Sequence, residues 1–425
     1  MNIVLLSGGS GKRLWPLSND MQSKQFLKLL KNNHEEYESM VQRVVRQLKT
    51  AHADASIFVS CNAAQDEMLR KQLGMIETIC EPARRDTFPA IVLAAAYLRH
   101  RKQMSNEDVF IVCPIDPCAE CKYFELFTEM ENLVKSKGFN IGLMGAIPTY
   151  PSEKYGYIIQ RDSRVTGFVE KPNKSQAEVL IANGALWNCG AFALKIGYVL
   201  HLAEKLVEFD SFEALYDQYD KLPSTSFDYQ VVEKEQSIGA VVYDGKWKDL
   251  GTWNTLTEEM ESNLVGKNVL ISGGSVNTHV LNMLSIPVIV QDISDAVVVA
   301  SYDGILVSSK YGSSFIKPLA EQIEWRPMYE QRSWGNYRVL EYKNDDKVSS
   351  LVKKVKIDAG KTNGENYCSD CWLIWIILSG KGLLTTMGGN SVVSEGDVIN
   401  LLPGSEYSLS ASESIELIEI AKGAL

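Results

Sequence analysis

The start of the chain constrains the fold most strongly, because a short apolar strand runs directly into a glycine-rich basic loop. Residues 2–6 are apolar and bounded by turn residues, which predicts a buried β-strand. Residues 7–13 then read Ser-Gly-Gly-Ser-Gly-Lys-Arg. Glycines let the backbone approach a phosphate closely, and the cations Lys12, Arg13 and Lys24 can balance phosphate charge. The pattern favours a domain that binds a nucleoside triphosphate.

This loop departs from the two common nucleotide-binding loops. A P-loop requires Gly-x-x-x-x-Gly-Lys-Ser/Thr, whereas here Arg13 follows the Gly-Lys pair and Leu6 occupies the first glycine position. A dinucleotide loop requires a third glycine where Leu14 stands. A glycine-rich turn without a ligand is the alternative interpretation. The nearby Arg13, Pro16 and Lys24 favour a functional loop.

Residues 8–27 resemble the signature of sugar-1-phosphate nucleotidyltransferases, in particular that of the long bacterial mannose-1-phosphate guanylyltransferases. The residues that carry this resemblance are Gly-Gly-x-Gly-x-Arg-Leu-Trp-Pro-Leu-Ser at 8–18 and Ser-Lys-Gln-Phe-Leu at 23–27. Further matches recur in the family's order: Glu-Pro-Ala-Arg-Arg-Asp-Thr-Phe-Pro-Ala (81–90), Pro-Thr-x-Pro (148–151), Tyr-Gly-Tyr-Ile (155–158), Phe-Val-Glu-Lys-Pro (168–172), Trp-Asn-Cys-Gly-Ala-Phe (187–192), Asp-Tyr (228–229) and Trp-Lys-Asp-Leu-Gly-Thr-Trp (247–253). The resemblance implies transfer of a nucleotidyl group from a nucleoside triphosphate to a sugar 1-phosphate, with release of pyrophosphate.

Length and charge exclude several other classes of protein. A chain of 425 residues predicts two or three domains. No apolar run approaches the ~18 residues that a membrane-spanning helix needs, and the first residues lack the pattern of a secretory signal. We therefore expect a cytoplasmic protein that does not bind membranes. The net charge of −10 argues against nucleic-acid binding.

The first 262 residues are predicted to form a Rossmann-like α/β domain with a mainly parallel sheet. Helical and strand patterns alternate, with strands at 56–60 and 109–113 and helices at 37–48, 65–73 and 87–98. Ligands on such sheets lie at the carboxyl ends of the strands. The loop at Gly8 and the turn at Asp116 both follow strands, so we expect them to share one site.

The rest of the chain is predicted to be rich in β-strands. Residues 263–325 contain short apolar strands and resemble the short β-helix-like connector of the family. Residues 326–425 combine strands with glycine-containing turns, which indicates an antiparallel barrel or sandwich. This segment resembles the cupin domain that the long guanylyltransferases carry as a phosphomannose isomerase.

The cupin-like segment lacks the metal ligands of an isomerase. The isomerases use a cluster of Gln, His and Glu, whereas no histidine lies beyond His279 in this chain and Tyr407 stands where a late histidine is expected. A site made of Cys368, Asp370 and Cys371 is the alternative. We interpret the segment as a structural or assembly domain without chemistry of its own.

The cysteines give little support for a structural zinc site or for disulfides. The chain has eight cysteines, including the Cys-x-x-Cys pairs 118/121 and 368/371, which lie in different predicted domains. A zinc ribbon brings its two pairs much closer together along the chain. We therefore predict free thiols in a cytoplasmic protein.

The resemblance assigns the chemistry to a small group of residues. Transfer needs an in-line attack on the α-phosphorus, so the protein must position two anions and relieve their repulsion. Mg²⁺ does this when held by one or two carboxylates, and the family places its metal ligands at positions that match Asp116 and Asp249. With Arg13 and Lys24, which would meet the triphosphate, these aspartates form the predicted catalytic set.

The resemblance also implies two binding subsites. The predicted nucleotide-binding residues are Ser7, Gly8, Gly9, Gly11, Lys12, Arg13, Glu81, Arg85, Asp86 and Thr87. The predicted sugar-phosphate-binding residues are Tyr155, Gly156, Glu170, Lys171 and Asn188. Carboxylates and amides there can bond sugar hydroxyls, and an ammonium can hold the phosphate.

Several departures from the family pattern leave the base and the sugar open. They are Lys12 for threonine, Asn19 for arginine, Ser23 for proline, Arg84, Asp86 and Phe88 for Gly, Asn and Ala, and Pro117 for histidine. GTP and mannose 1-phosphate are the expected substrates, and a homodimer is the expected assembly. The alternatives are a cytidylyltransferase or another nucleotidyltransferase acting on a different phosphorylated compound, a bifunctional isomerase, and a non-catalytic nucleotide-sugar sensor.

Overall fold

The computed structural model describes residues 1–8, 11–19, 22–32, 34–345, 348–364, 366–368 and 371–423. Among the predicted site residues, Gly9 and Asp370 lie outside the described residues, as does the side chain of Cys368. The chain divides into two compact units, of which the first comprises Met1–Leu14 and Ser23–Glu261 and the second Trp15–Gln22 and Ser262–Leu425. Within the described residues, every helix is too short or too polar to cross a membrane.

The first unit alternates strands and helices. Its strands are β1 (Asn2–Leu6), β2 (Lys28–Lys31), β3 (Tyr37–Ser39), β4 (Ser56–Asn62), β5 (Glu77–Glu81), β6 (Val109–Pro114), β7 (Pro117–Ala119), β8 (Ile141–Ala146), β9 (Tyr157–Arg161), β10 (Arg164–Val169), β11 (Leu186–Lys195), β12 (Ile238–Tyr243) and β13 (Trp247–Asp249). Its α-helices are α1 (Met40–Ala51), α2 (Ala63–Leu73), α3 (Thr87–Ala96), α4 (Cys121–Glu125), α5 (Phe127–Lys135), α6 (Lys174–Ala182), α7 (Ile196–Glu204), α8 (Phe212–Asp217) and α9 (Trp253–Thr257). Tighter 3₁₀ turns cover Gly11–Leu14, Lys24–Phe26 and Tyr219–Lys221, and π-helical turns cover Tyr97–Arg101 and Asp228–Val232.

A mixed sheet forms the centre of the first unit, in the order β5-β4-β1-β6-β11-β8-β12-β10-β9. The α/β prediction is confirmed, and β5, β4, β1 and β6 are parallel to one another. The prediction of a mainly parallel sheet does not extend to β9, β10 and β11, which run antiparallel to their neighbours. For β9 and β10 the cause is local: Asp162 and Ser163 have φ of 51° and 63°, and such a two-residue turn forces a hairpin.

Helices cover both faces of this sheet. In β1, Ile3 and Leu5 belong to one hydrophobic core and Val4 belongs to another, and all three are fully buried. This alternation explains the continuous apolar run, because a strand buried on both faces has no polar side. The helix predicted from Tyr37 begins instead at Met40, since Ser39 and Gln42 form a reciprocal cap at its N-terminus.

The parallel strands bring several loops to one edge of the sheet. Residues that follow β1, β5 and β6 lie at the carboxyl ends of parallel strands, which is where ligands bind in open α/β sheets. The backbone N–H of Ser7 donates to the carbonyl of Ser60 near the end of β4, at 2.8 Å. The loop after β1 is thereby attached to the neighbouring strand.

The second unit begins with the short strands β14 (Leu264–Gly266), β15 (Val269–Ile271), β16 (His279–Asn282), β17 (Val288–Val290), β18 (Ala296–Ser301) and β19 (Gly304–Ser309). β14, β16 and β18 pair in parallel, as do β15 and β17. Parallel pairing of strands this close in sequence produces stacked turns of a coil, which agrees with the predicted β-helix-like connector. A 3₁₀ turn, Gly312–Phe315, and helix α10 (Lys317–Ala320) follow.

The second unit ends in a barrel. Its strands are β20 (Tyr329–Arg332), β21 (Gly335–Asp345), β22 (Val348–Ile357), β23 (Asn366–Cys368), β24 (Cys371–Ser379), β25 (Lys381–Thr386), β26 (Gly389–Ser394), β27 (Val398–Leu401), β28 (Ser405–Ala411) and β29 (Ile415–Gly423). They form two antiparallel sheets whose inner faces share one core, and the barrel is closed. Trp375 is buried in that core and its Nε1 donates to Glu419 at 3.0 Å. The predicted cupin-like fold is confirmed.

One cysteine departs from the prediction of free thiols. Cys371 at the start of β24 is disulfide-bonded, whereas Cys61, Cys80, Cys113, Cys118, Cys121 and Cys189 are free as predicted. A sulfur in a disulfide is not a thiolate, so in this state Cys371 does not supply the metal ligand considered above.

The segment Trp15–Gln22 packs with the second unit although it follows the glycine-rich loop in sequence. Asn19 Nδ2 donates to Asp303 Oδ2 at 2.7 Å, and Ser301 Oγ donates to the carbonyl of Pro16 at 3.0 Å. A Cβ at Gly304 would lie 2.5 Å from the ring of Trp15, so only glycine leaves room for this indole. These contacts tie the segment to β18 and β19.

Candidate active site

Two aspartates predicted to hold a metal come together around a lysine. Asp249 ends β13 and lies opposite Pro117 of β7 in an antiparallel ribbon, which places it beside Asp116. Lys24 Nζ donates to Asp116 Oδ2 and lies 3.8 Å from Asp249 Oδ1. The side chain of Lys24 is only 14% exposed. The structure therefore brings three of the four predicted catalytic residues together.

The charges in this cluster depend on one another. Burial lowers the pKa of Lys24, but the charges of Asp116 and Asp249 outweigh this effect and raise it, so Lys24 stays cationic. Burial raises the pKa of Asp116, but the charge and hydrogen bond of Lys24 outweigh it and lower the pKa. Burial raises the pKa of Asp249, Lys24 opposes this, and Asp116 adds to it. The positive charge of Lys24 therefore does not fully balance the negative charge of Asp249.

The fourth predicted residue, Arg13, lies in the 3₁₀ turn after the glycine-rich loop. Its side chain is exposed, and its positive charge acts on Lys24, Asp116 and Asp249. Lys12 lies beside it on the same turn. An exposed guanidinium near a partly buried charge cluster can contact an anionic ligand in a bidentate manner.

The geometry of Asp249 fits a metal ligand. Its Oδ1 is buried and has no hydrogen-bond partner in the described part of the chain, although a buried carboxylate oxygen normally has one. A Cβ at Gly251 would lie 2.9 Å from Asp249 Oδ1 and 3.0 Å from Oδ2, so glycine is what gives the carboxylate its space. With Asp116 alongside, two carboxylates can offer oxygens to one divalent cation.

A buried glutamine, Gln25, donates two hydrogen bonds to Ser7 at the start of the glycine-rich loop. Gln25 Nε2 donates to the carbonyl of Ser7 at 2.8 Å and to its Oγ at 2.9 Å. Both residues are fully buried or nearly so. Gln25 follows Lys24 directly, so it couples the predicted phosphate loop to the lysine. Sequence reasoning placed Gln25 in the family motif but gave it no role.

The predicted nucleotide-binding residues around β5 and α3 serve the fold as well. Glu81 accepts hydrogen bonds from Ser60 Oγ and from the hydroxyl of Tyr219, both at 3.0 Å. Burial raises the pKa of Glu81, and these two hydrogen bonds oppose that rise. Thr87 Oγ1 accepts from the backbone N–H of Phe227 at 2.9 Å. Nucleotide contacts by Glu81 and Thr87 stay a prediction.

Arg85 and Asp86 are engaged in local structure. The guanidinium of Arg85 donates twice to the carbonyl of Leu222, at 3.2 and 2.9 Å. Asp86 has φ of 70° and its Oδ1 accepts from the backbone N–H of Thr87, which caps α3. The sequence could not show the partner of Arg85, because Leu222 lies 137 residues further along the chain. Nucleotide contacts by Arg85 and Asp86 stay a prediction.

The predicted sugar-phosphate residues cluster around a second carboxylate. A Cβ at Gly156 would lie 2.4 Å from Glu170 Oε2, so Glu170 approaches the backbone there. The carbonyl of Gly156 accepts from the backbone N–H of Asn188 at 2.8 Å. Lys171 Nζ lies 2.7 Å from Glu170 Oε1 and its φ is 47°. The structure brings Gly156, Glu170, Lys171 and Asn188 into one cluster.

Asp228 belongs to this cluster although it was not among the predicted site residues. Asn188 Nδ2 donates to Asp228 Oδ1 at 2.7 Å. Burial raises the pKa of Asp228 from 3.8 to about 6, and the charge of Glu170 adds to the rise. Its only sequence signal was the Asp-Tyr match at 228–229. A buried carboxyl whose pKa is strongly shifted beside another charged group is a candidate functional residue.

Tyr155 and Lys154 lie close enough to Asp249 for its charge to act on both. The ring of Tyr155 packs edge-on against Trp187 and Trp247, with centroids 5.1 and 5.2 Å away. Burial raises the pKa of Tyr155, and the charge of Asp249 adds to this. Desolvation lowers the pKa of Lys154, while Asp249 opposes that change. Lys154 was missed because a single lysine before Tyr-Gly-Tyr resembles an ordinary surface cation.

Comparisons with known proteins give the fold and its relatives. A family model described as nucleotidyl transferase matches residues 2–264. The mannose-1-phosphate guanylyltransferase of Salmonella montevideo is 25% identical, over 99% of this chain and 96% of that protein. The protein of the same name from Klebsiella pneumoniae is 27% identical, over 99% of this chain and 95% of its own length. A crystal structure from Thermus thermophilus, named as a mannose-1-phosphate geranyltransferase, aligns with a TM-score of 0.62 at 24% identity, covering 76% of this chain and 99% of that one.

Proposed function

Because the chain belongs to the nucleotidyl transferase family, we propose that it transfers the guanylyl group of GTP to mannose 1-phosphate and releases pyrophosphate. The observation that carries this proposal is the cluster of Lys24, Asp116 and Asp249 beside the glycine-rich loop. Relatives named for this reaction align along nearly the whole chain, which supports the choice of substrates.

The chemistry requires no nucleophile from the protein. A phosphate oxygen of the sugar 1-phosphate forms the new bond to the α-phosphorus, and the bond to the pyrophosphate oxygen breaks. Arg13 and Lys24 relieve the repulsion between the two anions and stabilise the charge that leaves with pyrophosphate. Since its neighbours raise the pKa of Lys24, this residue carries its charge throughout the physiological range.

The metal of this reaction is proposed to be Mg²⁺, held by Asp116 and Asp249. Enzymes of this family typically need a divalent metal. The buried, unbonded Oδ1 of Asp249 supports such a ligand role, as does its position beside Asp116. When bound, Mg²⁺ would neutralise phosphate charge and fix the position of the triphosphate.

The second cluster is proposed to bind the sugar phosphate. Glu170 and Asp228 can accept hydrogen bonds from sugar hydroxyls, and the amide of Asn188 orients Asp228. Lys171 can turn from Glu170 to the phosphate, since its side chain is half exposed. Lys154 and Tyr155 lie near enough to Asp249 for its charge to act on them, so they can contribute where the two substrates meet.

The experiment that tests this proposal is a pyrophosphate-release panel of the four common nucleoside triphosphates against several sugar 1-phosphates, with Mg²⁺. We expect GTP with mannose 1-phosphate to give the highest kcat/KM. Preference for CTP or for another sugar would overturn the substrate assignment while leaving the reaction class intact. Binding of a nucleotide sugar without pyrophosphate release from any pair would identify a sensor instead.

The assembly is proposed to be a homodimer in the cytoplasm. Alternate residues of β19 expose apolar side chains, of which Ile305 is 60% and Val307 is 63% exposed. Exposed apolar faces of this kind favour contact with another protein surface. A second copy of the chain would cover this face in the proposed dimer.

A further inference from the structure

A cluster of two thiols and a carboxylate lies apart from the proposed catalytic residues. Cys61 of β4 and Cys80 of β5 are directly opposite each other in the parallel sheet, so their side chains leave the sheet on the same face. Asp66 lies on α2, the helix that follows β4. The ligand atoms of these three residues all lie within 4.8 Å of one another.

This spacing suits a tetrahedral metal site. Zinc binds thiolate sulfur at about 2.3 Å and carboxylate oxygen at about 2.0–2.2 Å, which separates neighbouring ligand atoms by roughly 3.6 Å. Movements of about 1 Å would therefore close the cluster around an ion. Cys61 is fully buried, while Cys80 and Asp66 are partly exposed, so an ion and a fourth ligand from solvent can enter.

The carboxylate is already oriented by two neighbours. Arg70 Nε donates to Asp66 Oδ2 at 2.9 Å, and Thr78 Oγ1 donates to Asp66 Oδ1 at 2.5 Å. Each carboxylate oxygen has two lone pairs, so one hydrogen bond per oxygen leaves room for a metal bond. Such outer partners fix the direction of a metal ligand and strengthen binding.

The charges of the group also balance. Two thiolates and one carboxylate carry three negative charges, Zn²⁺ carries two positive charges, and Arg70 supplies one more. The loaded site would therefore be neutral at the surface of a sheet that is buried on this face. Soft thiolate ligands select zinc over magnesium, so the two metals of this protein would not compete for one site.

We propose that Cys61, Asp66 and Cys80 form a second, structural metal site that binds one Zn²⁺ per chain. The site joins the ends of β4 and β5 with α2. Ser60, next to Cys61, accepts the hydrogen bond from the loop residue Ser7, and Glu81 follows Cys80. A bound ion would hold the strands that support the glycine-rich loop, and this inference stands independently of the substrates proposed above.

Cobalt is the probe for this proposal, because Co²⁺ bound to thiolates absorbs where Co²⁺ bound only to oxygen does not. The full-length protein is reduced, freed of metal with a chelator and titrated with Co²⁺. We expect a thiolate-to-cobalt charge-transfer band that saturates at one equivalent, intense ligand-field bands of tetrahedral cobalt, and loss of both on adding Zn²⁺. The melting temperature should rise with Zn²⁺, since binding only the folded state stabilises it.

Variants identify the ligands. Cys80→Ser should reduce the charge-transfer band to that of one thiolate and weaken Co²⁺ binding. Asp66→Asn, at a partly exposed position, should weaken Co²⁺ binding about tenfold or more. Cys121→Ser, which removes a free thiol outside the cluster, is the matched control and should titrate like the parent. Absence of the band in the reduced parent, or a Cys80→Ser variant whose band and Co²⁺ affinity equal the parent's, overturns the proposal. A Cys61–Cys80 disulfide in the isolated protein, with no Co²⁺ binding after reduction, also overturns it and identifies a redox pair.

Discussion

Asp249 Oδ1 lies 3.8 Å from the ammonium of Lys24 and accepts no hydrogen bond from the described residues. The distance is too long for a direct hydrogen bond, although the charges attract each other. Asp116 takes the hydrogen bond of Lys24 instead. An oxygen left in this state is available to a cation, as the proposed metal site requires.

Gly251→Ala tests the space around that carboxylate. The new methyl group would lie 2.9–3.0 Å from both oxygens of Asp249 and must push the carboxylate aside. We expect kcat/KM to fall by about tenfold or more, with the melting temperature shifted by no more than about 2–4 °C, equivalent to roughly 1 kcal/mol. Gly273→Ala is the control, because a Cβ there meets nothing within 4 Å. Equal activity of the two variants would contradict the proposed role of Asp249.

Asp228→Asn is expected to stabilise the protein at high pH while impairing it as an enzyme. The folded protein raises the pKa of Asp228 from 3.8 to about 6, so the folded state binds this proton more tightly than the unfolded state does. Stability is therefore lost as pH rises from about 4 to 6, and ionised Asp228 costs up to about 3 kcal/mol above that range. The amide variant avoids this cost.

The measurement for Asp228→Asn is urea unfolding at pH 4.5 and pH 8, together with the KM for mannose 1-phosphate. The variant should gain stability over the parent at pH 8 and gain little at pH 4.5, and its KM should rise. Glu170 is left in place in both proteins, so any difference belongs to Asp228. If the variant and the parent differ in stability by the same amount at both pH values, the folded protein does not raise the pKa of Asp228.

The barrel is expected to have no sugar-phosphate isomerase activity. The chain has no histidine beyond His279, and Cys371 is disulfide-bonded, so the usual ligands of a catalytic metal are lacking there. Fructose 6-phosphate incubated with the protein and added Zn²⁺, Co²⁺ or Mn²⁺ should yield no mannose 6-phosphate. Enzymatic formation of mannose 6-phosphate above a boiled-protein blank would refute this prediction.

The apolar face of β19 is expected to hold the proposed dimer together. Replacing both Ile305 and Val307 by serine should convert the dimer to a monomer, as measured by size exclusion with light scattering. Val392→Ser is the control, because Val392 is 64% exposed on a strand of the barrel and its loss should leave the dimer intact. A monomeric parent protein, or a double variant that stays dimeric, would remove this face from the interface.

Local patterns in the sequence predicted the elements better than the contacts between them. The strand and loop at residues 2–13 were evident because apolar residues and glycines have strong local preferences. The antiparallel direction of β11 was not evident from the sequence, since an apolar run has the same pattern in either direction. Grouping of Trp15–Gln22 with the second unit depends on Asp303 and Gly304, almost three hundred residues away, which no local pattern reveals.

Within the candidate site, too, the residues were predictable from local motifs but their long-range contacts were not. Asp116 and Asp249 were predicted from their motifs, and the structure places them beside Lys24. Arg85 was predicted to face a nucleotide, but its guanidinium lies on the carbonyl of Leu222. The pairing of Cys61 with Cys80 requires the register of two parallel strands, which the intervening residues do not specify. The sequence motifs therefore predicted which residues can carry out the chemistry. Tertiary packing determines which of their side chains are free to contact a ligand.

The measurement that tests the central claim most directly is formation of GDP-mannose and pyrophosphate by Asp249→Asn compared with the parent, in GTP, mannose 1-phosphate and Mg²⁺. The variant removes one negative charge from the proposed metal site and keeps the size of the side chain. We expect turnover to fall by at least about a hundredfold, equivalent to roughly 3 kcal/mol, with an unchanged melting curve. Asp244→Asn, at an exposed surface position, should behave like the parent. Turnover of Asp249→Asn within about threefold of the parent would contradict the account.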